Sequence, residues 1–204
     1  MSAASTPDPV GGSGPSRRAE LLAIAGRLFA ERGFRNTTVR DIADAAGILS
    51  GSLYHHFDSK ESMVDELLDT FQQGLFAEYD DIEASDRTPL AKLEAVIRSS
   101  FDAIDQHHSE VAIFQNDATY LAGFERFGYL IERNERFEKL WRGLLQEAVA
   151  SGELRDDLDI DLVYRFIRDT VWVAVNWYRP GGALSATEVA DQYLSILLKG
   201  ISRG

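Results

Sequence analysis

The stretch Thr37–Met63, "TTVRDIADAAGILSGSLYHHFDSKESM", decides how this chain reads. Thr38 predicts an N-cap, and Asp41 three residues on completes a capping box. Ile42, Ala43 and Ala46 mark the inner face of a short helix that Gly47 stops. A third short helix is expected from Ser50 to Phe57, and Ser59 caps a fourth, long one. Helix, glycine turn and helix over 38–57 have the length of a helix-turn-helix, whose second helix lies in the DNA major groove. Ser50, Gly51 and Ser52 are small enough to let that helix approach a duplex closely. Leu53 and Phe57, four apart, anchor its rear. Tyr54 and His55 are left outside, with a hydroxyl and an imidazole to offer phosphate oxygens. Lys60 falls in the first turn of the fourth helix, where backbone N–H groups also attract an anion. Thr37 and Thr38 can act in the same way at the second helix. The alternative is a small helical hairpin with a polar surface by accident. His55 and His56 are adjacent, face different sides of a helix and make a poor metal pair; His56 reads as a packed or satisfied histidine.

Charge is distributed unevenly around this segment. Over the whole chain of 204 residues the net charge is −12, which argues against a nucleic-acid partner. Residues 16–60, however, carry seven basic side chains against five acidic ones, a net of +2, while residues 61–204 carry −13. A mildly basic head on an acidic body suits a protein whose head alone meets phosphate. Cysteine is absent, which excludes disulfides, zinc–thiolate sites and thiol catalysis and suits a cytoplasmic protein. Residues 1–15, "MSAASTPDPVGGSGP", have neither a charged nor an apolar signal region and read as a disordered tail. No apolar run approaches the roughly 18 residues of a membrane span.

Helical periodicity covers nearly all the rest, so the fold class is all-α. Ser16 caps a first helix with Leu21, Ile24, Ala25, Leu28 and Phe29 on one face. Gly33 ends it, with Phe34 closing over the last turn as in a Schellman motif. The long fourth helix carries the stripe Met63, Val64, Leu67, Leu68, Phe71, Leu75 and Phe76. Beyond "SDRTP" come helices near 89–106, 109–122, 125–151, 161–178 and 185–202. The acidic loop "SGELRDDLDID" lacks the glycine and closing glutamate of an EF-hand.

In "DLVYRFIRDTVWVAVNWY", placed at 100° steps, Leu162, Val173, Phe166, Trp177, Val163, Ala174, Ile167, Val171 and Val175 fill a wide apolar arc. Such a helix is buried on two sides, against a core and in a dimer seam shared with the last helix. The narrow remaining arc holds Arg165, Arg168, Asp169 and Asn176 around Trp172. Trp172 is either a solvent-exposed indole stacked by Arg168 or the wall of a pocket whose guanidinium awaits an acidic ligand. On 125–151, Asn134 interrupts an apolar face and bonds either a neighbouring helix or a ligand. Arg133, Arg136 and Phe137 lie beside it, and Gln115 on 109–122 is a further candidate of the same kind.

The motif "TTVRDIADAAGILSGSLYHHFDSKESM", with the helix pattern of the whole chain, resembles the TetR family of DNA-binding regulators. The resemblance implies a helix-turn-helix domain at 16–60 and a helical effector-binding and dimerisation domain at 61–204. It implies a homodimeric repressor reading a palindromic double-stranded operator, with Thr37, Thr38, Arg40, Leu49, Ser50, Gly51, Ser52, Tyr54, His55 and Lys60 toward DNA. Leu49 and Ser50 depart from the family pattern, where serine and lysine are frequent, which removes one phosphate or base contact. "GILSGSLYHHF" and "DLVYRFIRDTVWVAVNWYRPGG" are further similar to actinobacterial members that control steroid-ring catabolism and respond to coenzyme A thioesters. The effector implied is such a thioester, with Arg165, Arg168, Arg133 and Arg136 for its phosphates and Trp172 and Phe137 for its rings; no other cofactor is expected. Efflux repressors that sense lipophilic compounds are the alternative within the family. No nucleophile elbow, metal spacing, phosphate-cradling loop or carboxylate pair points to an enzyme.

Overall fold

A computed structural model describes residues 16–201. The tail expected at 1–15 lies outside the described residues. All elements are helical: α1 (Arg17–Arg32), α2 (Val39–Ala45), α3 (Ser50–Leu53), α4 (Lys60–Ala84), α5 (Pro89–Gln106), α6 (His108–Leu121), α7 (Tyr129–Ala150), α8 (Ile160–Val173) and α9 (Ala186–Ile201). Turns of 3-10 helix at Glu125–Phe127 and Ala174–Asn176 precede α7 and follow α8. Among the described residues, no helix is long and apolar enough to cross a membrane.

The expected caps of the first four helices are largely present, with two instructive exceptions. Ser16 caps α1, and Thr38 with Asp41 forms the capping box of α2. Ser59 caps α4, reciprocated by Ser62. At Gly47, φ +67°, α2 ends in a Schellman pair: Ile48 N–H donates to Ala43 O and Gly47 N–H to Asp44 O. The Schellman closure expected at Gly33 and Phe34 does not form. Gly33 N–H reaches Phe29 O, but Phe34 N–H leaves the helix and donates to Asp117 Oδ2 of α6 at 3.0 Å. A buried carboxylate there outcompetes the helix's own carbonyls. The second exception is α3, which holds one helical turn to Leu53 and then loosens through Tyr54–His56. Serine and glycine support a helix weakly, and only Leu53 and Phe57 of this segment are buried.

Two hydrophobic cores share α4, α6 and α7, the last giving Leu130 to one core and Leu140, Trp141, Leu144 and Leu145 to the other. The first joins Leu21, Phe29 and Phe34 to Ile42, Leu53 and Phe57, then to Met63, Val64, Leu67 and Leu68 of α4. The second begins at Phe71 on the same helix and runs through Leu75, Phe76 and Tyr79 to α5, α7, α8 and α9. α6 does likewise, giving Ile113 and Leu121 to the first core and Val111 and Ala112 to the second. α5 is the central post, in contact with α4, α6, α7, α8 and α9. Its Ser100 hydroxyl donates to Val96 O and meets the hydroxyl of fully buried Tyr79 at 2.6 Å, while burial pushes the Tyr79 phenol up. The wide apolar arc of α8 separates as expected into two sides. Ile167 and Val171 face inward with Tyr164, joined by Trp172 from the arc expected to be polar; Leu162, Phe166 and Val173 face out. Because Leu68 is wholly enclosed at the meeting of the cores, Leu68→Ala is expected to destabilise the protein by about 2–5 kcal/mol. Urea unfolding followed by far-UV circular dichroism measures it.

Candidate functional site

The surface around α2 and α3 holds most of the residues expected to meet DNA. Leu49 is 80% exposed and Tyr54 55%. Gly51, Ser52, His55, Thr38 and Arg40 are exposed and Ser50 half-exposed. Arg40 lies near Asp44 at 3.7 Å, with its side chain largely in solvent. His56 is exposed rather than packed. A narrow polar helix end carrying an exposed leucine and tyrosine is shaped to enter a groove, with Leu53 and Phe57 holding its rear.

Three of the residues expected at phosphate are engaged inside the protein. Thr37 is fully buried, and its hydroxyl faces Leu28 O at 3.2 Å and Gly33 O at 2.9 Å. It cannot reach a duplex. Thr38 donates its hydroxyl hydrogen to Asp41 Oδ2, so it retains only acceptor capacity. That bond holds the Asp41 carboxyl below the usual carboxylate range. Lys60 Nζ donates to Phe34 O at 2.9 Å and Thr37 O at 3.0 Å, and sits 4.3 Å from the Phe34 ring centre. The ammonium ties the α1–α2 loop to the start of α4. Two of its three donors are used there.

The second candidate region lies between α4, α6, α7 and α8. A small chamber of about 70 Å³ has apolar walls from Phe71, Leu75, Phe76, Val111, Phe114, Phe137 and Trp172. Gln72, Gln115, Arg133, Asn134 and Arg168 complete its lining. Phe114, Gln115, Asn134 and Arg168 also line an adjoining, more open cleft of about 390 Å³, with Thr119, Ile131 and Asp169. Of the two readings of Trp172, the pocket wall holds. The indole is 7% exposed, its ring meets Phe137 edge-on at 5.8 Å, and its N–H has no hydrogen-bond partner.

The polar candidates are distributed differently from expectation. Arg168 does not stack on Trp172; it pairs with Asp169 and lies 5.5 Å from the Tyr164 ring. Arg165 lines neither space, because it lies on the outward side of α8 with Leu162 and Phe166. Arg136 is held by Asp80 and the Phe76 ring. Asn134 is exposed at the mouth, not buried on an apolar face, as is Gln115. Arg133 reaches the chamber while donating to Asp69 Oδ1 at 2.5 Å and Gln72 Oε1 at 3.2 Å. Sequence reasoning missed the whole α4 wall. Its signal was Gln72, a polar residue midway between Leu68 and Phe76 on one stripe, now 5% exposed. Asp117, midway between Ile113 and Leu121, was missed in the same way. Among the described residues, no group of three His, Asp or Glu side chains could hold a metal ion.

If Lys60 positions the head rather than meeting phosphate, Lys60→Met will weaken DNA binding and lower thermal stability. The slope of log affinity against log salt will not change. A slope shallower by about one would instead mark a lost phosphate contact.

Comparison with known proteins accords with this geometry. Residues 21–67 match the model described as "Bacterial regulatory proteins, tetR family", and residues 86–201 that of "Tetracyclin repressor-like, C-terminal domain". The chain is 56% identical over 196 residues to the HTH-type transcriptional repressor KstR2 of Mycobacterium tuberculosis, covering 96% of this chain and 98% of that protein. With KstR2 of Rhodococcus jostii it shares 58% over 195 residues, 96% and 95% of the two chains. The solved structure of the ketosteroid transcriptional regulator KstR2 of Mycobacterium tuberculosis superimposes with a TM-score of 0.91, covering 96% of this chain and all of that one. These relatives are named repressors rather than enzymes, which bears out the reading of the chain as a regulator. An exposed helix-turn-helix joined through one long helix to a cavity-bearing bundle therefore makes this chain a member of the TetR family, a DNA-binding transcriptional repressor.

Proposed function

We propose that this repressor binds a palindromic operator as a homodimer and is released by the coenzyme A thioester of a partly degraded steroid. The observation that carries the effector class is the two-part cavity. An apolar, aromatic chamber adjoins a cleft of mixed lining, and Arg168 borders both. Fused rings suit the first space, and the Arg168 guanidinium suits a phosphate reaching into the second. A lipophilic drug without anionic groups would offer no acceptor to the guanidiniums of Arg133 and Arg168 that line the chamber. The names of the relatives, as KstR2 and ketosteroid regulator, favour the same class.

The chamber's size supplies the mechanism. Drug-sized ligands occupy roughly 300–1,000 Å³, so a chamber of about 70 Å³ must widen to admit rings. Three of its walls, Phe71, Leu75 and Phe76, stand on α4, whose other half carries the reading head. A ligand that binds the widened form more tightly shifts the population of α4 orientations, and the two heads lose the half-site spacing. Equal affinity for both forms would shift nothing.

Dimerisation belongs to the outer faces of α8 and α9. Phe166 is 62% exposed and Ile196 74%, and Leu162, Val173, Trp177 and Leu184 are also open. A second copy of this surface is the natural cover for such a face.

Two experiments test the reading. In a fluorescence anisotropy titration of labelled operator, a fused-ring acyl-CoA thioester should release the DNA while free coenzyme A does so far less; equal responses remove the acyl chamber from the account. Arg168→Ala should weaken the thioester response by about 1.5–3 kcal/mol, the range of a charge-assisted hydrogen bond, with operator affinity retained. For the dimer, Phe166→Glu is expected to give monomers by sedimentation velocity and to lose tight operator binding. A dimeric variant would place the seam elsewhere.

A further inference from the structure

We propose that Asp69 is a specificity-determining residue of the effector site, a counter-ion that an anionic ligand must displace from Arg133 in order to separate α4 from α7. The inference rests on the cavity being the effector site. Arg133 is the chamber cation that reaches across to another helix. Its Nη2 donates to Asp69 Oδ1 at 2.5 Å and its Nη1 to Gln72 Oε1 at 3.2 Å, both on α4. Its other side rests on the Tyr129 ring at 4.3 Å. One turn nearer the reading head the pattern repeats, with the Tyr129 hydroxyl donating to Asp65 Oδ1 at 3.0 Å and Arg126 to Asp65 Oδ2 at 3.2 Å. The α4–α7 side of the cavity is thus closed by a row of long polar side chains.

Arg168, by contrast, is paired with its own neighbour Asp169, so freeing it moves no second helix. Displacing Asp69 cuts a tie between two helices. The exchange is feasible, because Asp69 is 40% exposed and its Oδ2 already accepts from Gln73 Nε2 at 2.7 Å. A released carboxylate there is rehydrated and remains bonded. The guanidinium beside it holds the Asp69 carboxyl below the usual carboxylate range, so it is charged and competing near neutral pH. A phosphate offers more charge and more acceptor oxygens than one carboxylate and wins the guanidinium. A neutral ligand offers neither and leaves the tie in place. The site therefore discriminates by requiring an exchange of anions, in addition to having apolar room.

The near-isosteric variant Asp69→Asn removes the competing charge and tests this. Binding is followed by isothermal titration calorimetry. The probes are the coenzyme A thioester of a fused-ring carboxylic acid and the pantetheine thioester of the same acid, which lacks the phosphates. Asp69→Asn should tighten the coenzyme A thioester about three- to tenfold, the scale of one partly exposed charge pair. It should leave the pantetheine thioester unchanged. Tightening of both probes, or of neither, overturns the proposal. If no thioester of either kind binds the parent protein, the effector reading falls as well. A double-mutant cycle of Asp69→Asn and Arg133→Gln, read without ligand as operator affinity, separates the two. Additive effects would show that the ion pair does not set the pose of α4, whatever the effector is.

Discussion

Between Leu68 and Phe71 the long helix α4 passes from one hydrophobic core to another without a break in its hydrogen bonding. Its first half is held by Met63, Val64, Leu67 and Leu68 against the DNA-reading helices, its second by Phe71, Phe76 and Tyr79 against the bundle. A helix is stiff along its axis, and cores packed at crystal density yield by discrete shifts rather than gradual compression. α4 thus connects Phe71 and Phe76 to Lys60 and, through its two carbonyl bonds, to Phe34 and Thr37. α6 runs a second line to the same loop, since Asp117 holds Phe34 N–H while Phe114 and Gln115 line the cavity. Both lines converge on the α1–α2 loop.

Several polar groups near the reading head are engaged within the protein itself. Thr37, Thr38 and Lys60 all look, from residue type, like groups waiting for phosphate. In the fold they satisfy backbone carbonyls and a capping carboxylate. A head of about three short helices has little apolar area to bury, so its loops need such bonds to keep one geometry. Leu49, Tyr54, Ser52 and His55, by contrast, stay exposed.

Around the cavity, charge is balanced before any ligand arrives. Arg133 and Arg168 each have a carboxylate, and burying either guanidinium unpaired would be costly. The apolar chamber carries one unpartnered donor, the Trp172 indole. Polar side chains that interrupt an apolar stripe show why such sites are hard to read from a sequence. Gln72, Asp117 and Asn134 occupy similar places in the pattern. Gln72 and Asp117 are buried and bonded across helices, and Asn134 lies open at the mouth. Periodicity tells which face a residue is on; it does not tell where along the helix the neighbouring helix stops.

What the sequence determined by itself were the properties set within a few residues of chain: the helices, the caps at Ser16, Thr38 and Ser59, the Gly47 turn and the two-sided α8. Those follow from local hydrogen bonding and side-chain period, which do not depend on distant partners. The motif spanning Thr37–Met63 carried the family with them. Tertiary structure alone decided that Phe34 N–H goes to Asp117, that Lys60 faces inward, that Arg168 leaves Trp172 for Tyr164 and Asp169, and that α4 supplies one wall of the chamber. Each of these depends on which side chain from a remote segment arrives within about 3–5 Å, and competition among several available partners is resolved only when all the helices are packed together.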